Sequence, residues 1–191
     1  MSEPTELWHA EHANFSRLLD LLERQLARFH EGEQPDYGIM LDAIGYLREG
    51  PDRFHHPRED VMFAQLARRD PSMRIPINRL LQEHRVIAVA GEELRARLED
   101  VVAGSVVARA SLEAAAAVYL TYYRYHLFAQ ERDIMPRAEQ ALTPQDWRAI
   151  ANIIEPGPDP LFGEPPQERY RELRAHLNAA KAAPIRSEAR G

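Results

Sequence analysis

Apolar residues recur three and four positions apart along most of the chain, the rhythm of one buried helix face. The first such segment runs from about Thr5 to His30, with Trp8, His12, Phe15, Leu19, Leu22, Leu26 and Phe29 on its stripe. A polar turn, EGEQPDYG at 31–38, separates it from a second helical region over about Tyr37 to Arg69, interrupted at Gly50-Pro51. Proline displaces a backbone hydrogen bond, so the helix kinks or restarts there. After the break DPSMRIP (70–76), a third helix spans about Ile77 to Val102, through Leu80/Leu81, His84, Ile87, Leu94, Leu98 and Val101. A short AGS turn leads to the fourth, about Val107 to Gln140, carrying Leu112, Ala116, Tyr119, Tyr123 and His126. Four long amphipathic segments joined by short loops predict an all-α fold, an antiparallel up-down four-helix bundle.

Thr143 is placed to cap a further helix that has Pro144 at its first position, predicting a short fifth helix to about Ile154. EPGPDPLFGEPP then reads as a proline-rich connector, and QERYRELRAHLNAAKAA as a last helix or a partly ordered tail. The expected organisation is residues 1–154 as the bundle with its fifth helix, and 155–191 as connector and C-terminal helical extension. That tail is free to meet a partner or a second copy of the chain, which would make a homo-oligomer.

Composition changes the picture mainly by exclusion. The 191 residues hold 24 Lys and Arg against 30 Asp and Glu, a net charge of −6, with no basic block to suggest a nucleic-acid partner. Cysteine is absent, which excludes disulfides, thiol catalysis, thiolate zinc sites and cysteine-ligated clusters. The start MSEPTELWHAEH lacks the basic residues and apolar run of a signal peptide, and the small-apolar stretch Ala114 to Leu120 is too short to cross a bilayer. A cytosolic address without a membrane partner is expected. Neither a glycine-rich phosphate loop nor a serine-histidine-acid series of recognisable spacing is present.

The informative residues are histidines on apolar stripes. His12 keeps the four-three step between Trp8 and Phe15. His55, Glu59, Met62 and Leu66 follow the same rhythm, while His56 is turned about 100° away by helix geometry. His84 lies between Leu80/Leu81 and Ile87, and His126 follows Tyr119 and Tyr123. One inward histidine is ordinarily a hydrogen-bonded core residue. Four on four helices cannot readily satisfy one another, and an unpartnered buried polar group costs several kcal/mol. A cation would satisfy all four. Glu59 projects one turn from His55, and Gln130 and Glu131 follow His126 at four and five residues. Histidine with carboxylate and no sulfur favours iron or manganese, with zinc possible, and this set suits a dinuclear centre in a bundle core. His56 and Asp60 neighbour it as supporting groups or as a solvated edge; His9 lies near its mouth. The tyrosines around His126 read first as core packing.

The segments WHAEH, FHHPREDVMF, LLQEH and YRYHLFAQERDIMP together make the chain resemble the hemerythrin-like, or HHE cation-binding, family over about residues 7 to 140. The resemblance implies a non-haem di-iron site, with family roles in reversible oxygen binding, nitric oxide sensing, iron storage or repair of damaged iron centres. It places His12, His55, Glu59, His84 and His126 at ligand positions. Two departures stand out. Oxygen carriers of the family have two histidines four apart on the third helix, whereas here Leu80 and Ala88 flank His84. Many relatives carry an acid four residues after the last histidine, where this chain has Gln130. Glu131, at five, matches the oxygen carriers and is the expected ligand, since a neutral amide is a poor partner for ferric iron. Three function classes follow. The chain is a binding protein for a small diatomic such as oxygen or nitric oxide, an enzyme or repair factor handling peroxide or damaged iron centres, or a structural bundle with weak or substituted metal.

Overall fold

Proline, glycine and capping acids punctuate the helices of this protein, and two of the prolines do more than end a helix. The computed structural model describes residues 5–152 and 159–182. Helix α1 spans Glu6–His30; α2, Tyr37–Glu49, starts where the Asp36 carboxylate accepts from the Ile39 N–H at 3.0 Å. A π-helical turn, Pro51–His55, joins α2 to α3, His56–Arg69. A 3-10 turn at Pro71–Met73, held by Asp70, opens α4, Arg74–Val102. Helix α5, Arg109–Ala129, passes through a second π-turn, Gln130–Ile134, into α6, Met135–Ala141. Helix α7, Pro144–Ala151, and, after a 3-10 turn at Glu168–Tyr170, α8, Arg171–Ala182, complete the order. No strand occurs among the described residues.

Both π-turns precede a proline in the first turn of the following helix, Pro57 in α3 and Pro136 in α6. Proline has no N–H for the carbonyl four residues back and its ring crowds that carbonyl, so the preceding turn widens. The expected break at Gly50-Pro51 is therefore a widened turn within a nearly continuous helix. The fourth predicted helix is likewise one path made of α5, a π-turn and α6.

Helix α1 packs on α2 and α5, and α4 packs on the same two, so the four form a closed ring of contacts. Gly91 lets α4 come close: a Cβ there would lie 2.9 Å from Arg48 Cδ and 3.0 Å from the Tyr119 ring. The apolar interior divides in two. One cluster joins Phe15, Leu18 and Leu22 to Ile44, Leu47, Ile87, Leu94, Tyr119 and Tyr123. The other joins Trp8 to Met62, Phe63, Ile77, Leu80, Met135 and Ile150. Between them, on each long helix, lies one of the expected histidines: His12 between Trp8 and Phe15, His84 between Leu80 and Ile87.

The capping signal at Thr143 is present as a reciprocal box with Asp146, whose carboxylate also takes bonds from Gln65 and Arg69 and so ties α7 to α3. The sequence left the segment after the connector as helix or partly ordered tail; it is a helix packed on the bundle. Tyr170, Leu173 and Leu177 are buried in the larger cluster, and Tyr46 of α2 donates to Asp159 at 2.9 Å. The Tyr46 ring meets Phe162 and Tyr170 edge-on. The expected helix end near Ile154 and the boundary at 155 lie outside the described residues. Among the described residues no helix is long and apolar enough to cross a membrane.

Candidate metal centre

Five buried imidazoles and one buried carboxylate meet between the two apolar clusters: His12 from α1, His55 from the first π-turn, His56 and Glu59 from α3, His84 from α4 and His126 from α5. Their inward atoms form two groups, His12, His55 and Glu59, and His56, Glu59, His84 and His126; within each, one donor atom per residue lies within 4.8 Å of the others. Glu59 belongs to both. Its Oε1 lies 3.1 Å from His12 Nε2 and 2.8 Å from His55 Nε2, and its Oε2 lies 3.3 Å from His84 Nε2. The last approach is near enough for an ion pair but lacks hydrogen-bond alignment, so Oε2 has no hydrogen-bond donor.

His56 departs from the sequence reading. Counting 100° per residue turned it away from His55, yet both are buried, with 2% and 5% of their surface exposed. The π-turn that ends at His55 widens the local step, so adjacent residues share the interior. Its ring stacks on His84, with centroids 4.2 Å apart. The imidazole that α4 lacks four residues from His84 is thus matched by one from α3.

The resemblance makes Glu131 a ligand, and the structure holds it against the outer nitrogen of His12. It sits outside both donor groups, its carboxylate 36% exposed, with Oε1 2.5 Å from the outer nitrogen of His12 and Oε2 2.7 Å from His9 Nδ1. Gln130, by contrast, is fully buried one turn after His126. The second π-turn begins at Gln130, and the backbone N–H of this residue bonds the His126 carbonyl.

Every one of the five histidines has a carboxylate at Nδ1. Glu131 serves His12, Glu11 serves His55 at 2.6 Å, Asp52 lies 3.3 Å from His56, Asp60 serves His84 at 3.0 Å and Glu83 lies 3.3 Å from His126. Three of these acids are held in turn by arginines: Glu11 by Arg58, Asp52 by Arg48 and Glu83 by Arg79. Such partners fix the Nδ1–H tautomer and turn the Nε2 lone pairs inward, the arrangement that orients metal-ligating histidines. Sequence reading weighed Asp60 in this role and missed Glu11, Asp52 and Glu83. A signal existed: Glu11-His12 and Glu83-His84 are both Glu-His pairs whose acid serves a histidine of the adjacent helix.

The charges are strongly perturbed. Burial would push the Glu59 carboxyl up, but the charge of His55 and the close approach of the His12, His55 and His84 imidazoles hold it well below the usual carboxylate range. Burial would lower His12, yet Glu131 and Glu59 raise it to about 9; Asp60 and Glu59 do the same for His84, also to about 9. Burial wins at His56, lowered to about 4, and at His126, also lowered.

The residues fit a metal ion. His56 Nε2 is buried without a hydrogen-bond partner, the other inward nitrogens face chiefly one another, and the donors are all imidazole or carboxylate. The Nε2 atoms of His12 and His55 are 3.0 Å apart, and those of His84 and His126 3.2 Å. Two metal–nitrogen bonds of about 2.1 Å at a right angle require roughly 3 Å. A family model, the hemerythrin HHE cation-binding domain, matches residues 3–138. The chain belongs to the hemerythrin HHE family. It is therefore a helical cation-binding domain of a family that typically takes iron, and its His/Glu groups could hold the metal. No significant match to a curated protein or to a solved structure accompanies this one. Within the hemerythrin bundle, Glu59 and the histidines lie inside the matched span, whereas α7 and α8 lie beyond it.

The smaller donor group borders a cavity of about 450 Å³ between α1 and α5, lined by His9, His12, Arg124, Leu127, Phe128 and Glu131. His9 stands half-exposed at its rim. His30 and His176 are exposed and belong to neither donor group. Of the tyrosines, Tyr122 and Tyr125 are exposed, while Tyr119 and Tyr123 are buried; the hydroxyl of Tyr123 has no hydrogen-bond partner.

Proposed function

We propose that this protein is a non-haem di-iron protein of the cytosol that binds a small diatomic, oxygen or nitric oxide, for storage or sensing. The observation that carries the reading is the inequality of the two donor groups. His56, His84 and His126 with Glu59 would hold one ion, and His12 and His55 with the same Glu59 would hold the other. The second set has one imidazole fewer and is the one beside the cavity. Metal centres that react with small molecules keep a coordination position open, whereas closed ones are structural.

The iron pair would supply the electrons that reversible uptake of oxygen requires. The protein's share is positioning. Glu59 joins the two halves and contributes negative charge between them. Glu131, Glu11, Asp52, Asp60 and Glu83 hold the imidazoles in the inward tautomer, and Phe15, Phe63 and Tyr123 keep bulk water from the interior. The reading is tested by loading the chain anaerobically with ferrous iron and recording its absorption before and after exposure to each gas. Two irons per chain and a new charge-transfer band that reverses on removing the gas are the expected result. Two bound irons with an unchanged spectrum would reject diatomic binding.

A further inference from the structure

Two opposite edges of the helix ring are finished differently. Along α1 and α2 the chain covers itself, since α8 packs on both and buries Leu173 and Leu177 there. On the other edge, α4 and α5 border an open groove of about 680 Å³, lined by Arg85, Val86, Val89 and Glu93 from α4 and by Ala114 and Val118 from α5. Val89, midway between the two charged residues, stands 72% exposed. Beyond Val118 the apolar strip continues along α5 with Tyr122 and Tyr125, both exposed, at spacings of four and three. An apolar strip rimmed by charge is the form of an interaction surface.

The charges of α4 say what fits there. Before Val89 the helix carries Arg74, Arg79 and Arg85 against Glu83; after it come Glu92, Glu93, Glu99 and Asp100 against Arg95 and Arg97. Histidine aside, that is a net +2 on one side of Val89 and −2 on the other. The order opposes the helix dipole, which favours acid at the start and base at the end, and the first turn of α4 has no acid and the last no base. Such polarity is adverse within one helix and favourable between two copies that run antiparallel. Arg85 has no ion-pair partner among the described residues. Glu93 is met by Arg97 one turn on, yet its side chain is still half-exposed. Both lie four residues from Val89, so two α4 helices laid antiparallel with Val89 on a two-fold axis set each Arg85 against Glu93 of the other copy.

We infer that the α4–α5 face is the interface of a homodimer, in which α4 of each copy lies antiparallel in the groove of the other. Val89 meets Val89 on the axis, and the Arg85–Glu93 pair is made twice. The α5 side of the groove is built of Ser111, Ala114 and Ala115, side chains small enough for a second helix to come close. Self-complementarity about one residue is what a two-fold interface requires, because it pairs the same patch with itself and closes at two copies. A foreign helix would have no need of it.

The test is sedimentation equilibrium of the full chain across its soluble concentration range, with circular dichroism to show that each variant is folded. The wild type is expected to approach twice the 21.9 kDa of one chain. Arg85→Glu and Glu93→Arg each create two like-charged contacts and should weaken dimerisation roughly 10–100-fold. The double variant, Arg85→Glu with Glu93→Arg, makes the contacts opposite again and should recover the dimer. Val89→Asp brings two carboxylates together on the axis and should weaken the dimer at least as much as either single charge reversal. A wild type that stays monomeric at every concentration overturns the inference and leaves the groove to a different protein. A dimer indifferent to all four variants lies on another face and overturns it as well. Loss of the dimer in Val89→Asp with no response to the charge reversals, or single reversals that dissociate without recovery in the folded double variant, overturns the antiparallel register.

Discussion

The two halves of the centre share Glu59 and little else. One half draws His56, His84 and His126 from three helices, stacks two of the rings, and is walled by Phe63 and Tyr123. The other has His12 and His55 and opens toward a cavity whose rim carries His9 and Glu131. The difference teaches a division of labour. A closed set of three imidazoles fixes an ion in place, and a smaller set beside a cavity leaves an ion accessible.

Removing what the halves share is the most severe way to break the comparison. Glu59→Gln is expected to abolish binding of both ions, read as metal content per chain. In the metal-free protein it should also lower stability by about 3–5 kcal/mol, because it strips a buried charge from its histidine partners; denaturant unfolding measures this. Next come changes confined to one half. His126→Ala or His56→Ala should leave one ion on the open side, and His55→Ala should leave one on the closed side. Equal loss of both ions in every variant would mean that the halves are not separable. Smaller again are the acids behind the histidines. Glu11→Gln and Asp60→Asn should keep two ions but weaken binding by roughly 10–100-fold, as loss of an orienting partner does. Glu131→Gln belongs with them if it only steers His12, and with the ligand variants if it does more.

Acidity gives the mildest and most continuous test. His12 and His84 carry protons up to about pH 9 in the metal-free chain, and a metal must displace those protons. Zinc affinity should therefore rise with pH and level off above about 9. Metal-free stability runs the opposite way. Both groups titrate higher when folded than their ordinary 6.5, so their contribution is complete below 6.5 and is lost as pH rises through about 9. Melting temperature against pH, without metal, checks the sign.

Much of this was legible in the chain. The three-and-four rhythm located the helices, and it picked out His12, His55, Glu59, His84 and His126 because polar residues on an apolar stripe demand a reason. What periodicity could not supply was the local widening of the helix. A fixed 100° step turned His56 outward, although Pro57 marks a turn that breaks that step. The outer acids were hidden for another reason: Glu11 and Glu83 serve histidines on other helices, and helix-to-helix pairing is a tertiary fact. The burial of Tyr170, Leu173 and Leu177 was equally out of reach, since a short amphipathic segment shows an apolar face without saying what covers it.

The polar belt that divides the apolar interior has a consequence for cooperativity. The larger cluster takes in α2, most of α1, α4 and α5, and the docked α8; the smaller relies on α3, α6, α7 and the N-terminal ends of α1 and α4. Two cores that meet across a layer of five buried histidines and one carboxylate are two units able to open separately. Without metal, backbone amides of α6 and α7 should exchange with solvent well before those of α2. An ion bound to residues from both sides of that seam fuses the units, and the protection of the two ends should then converge.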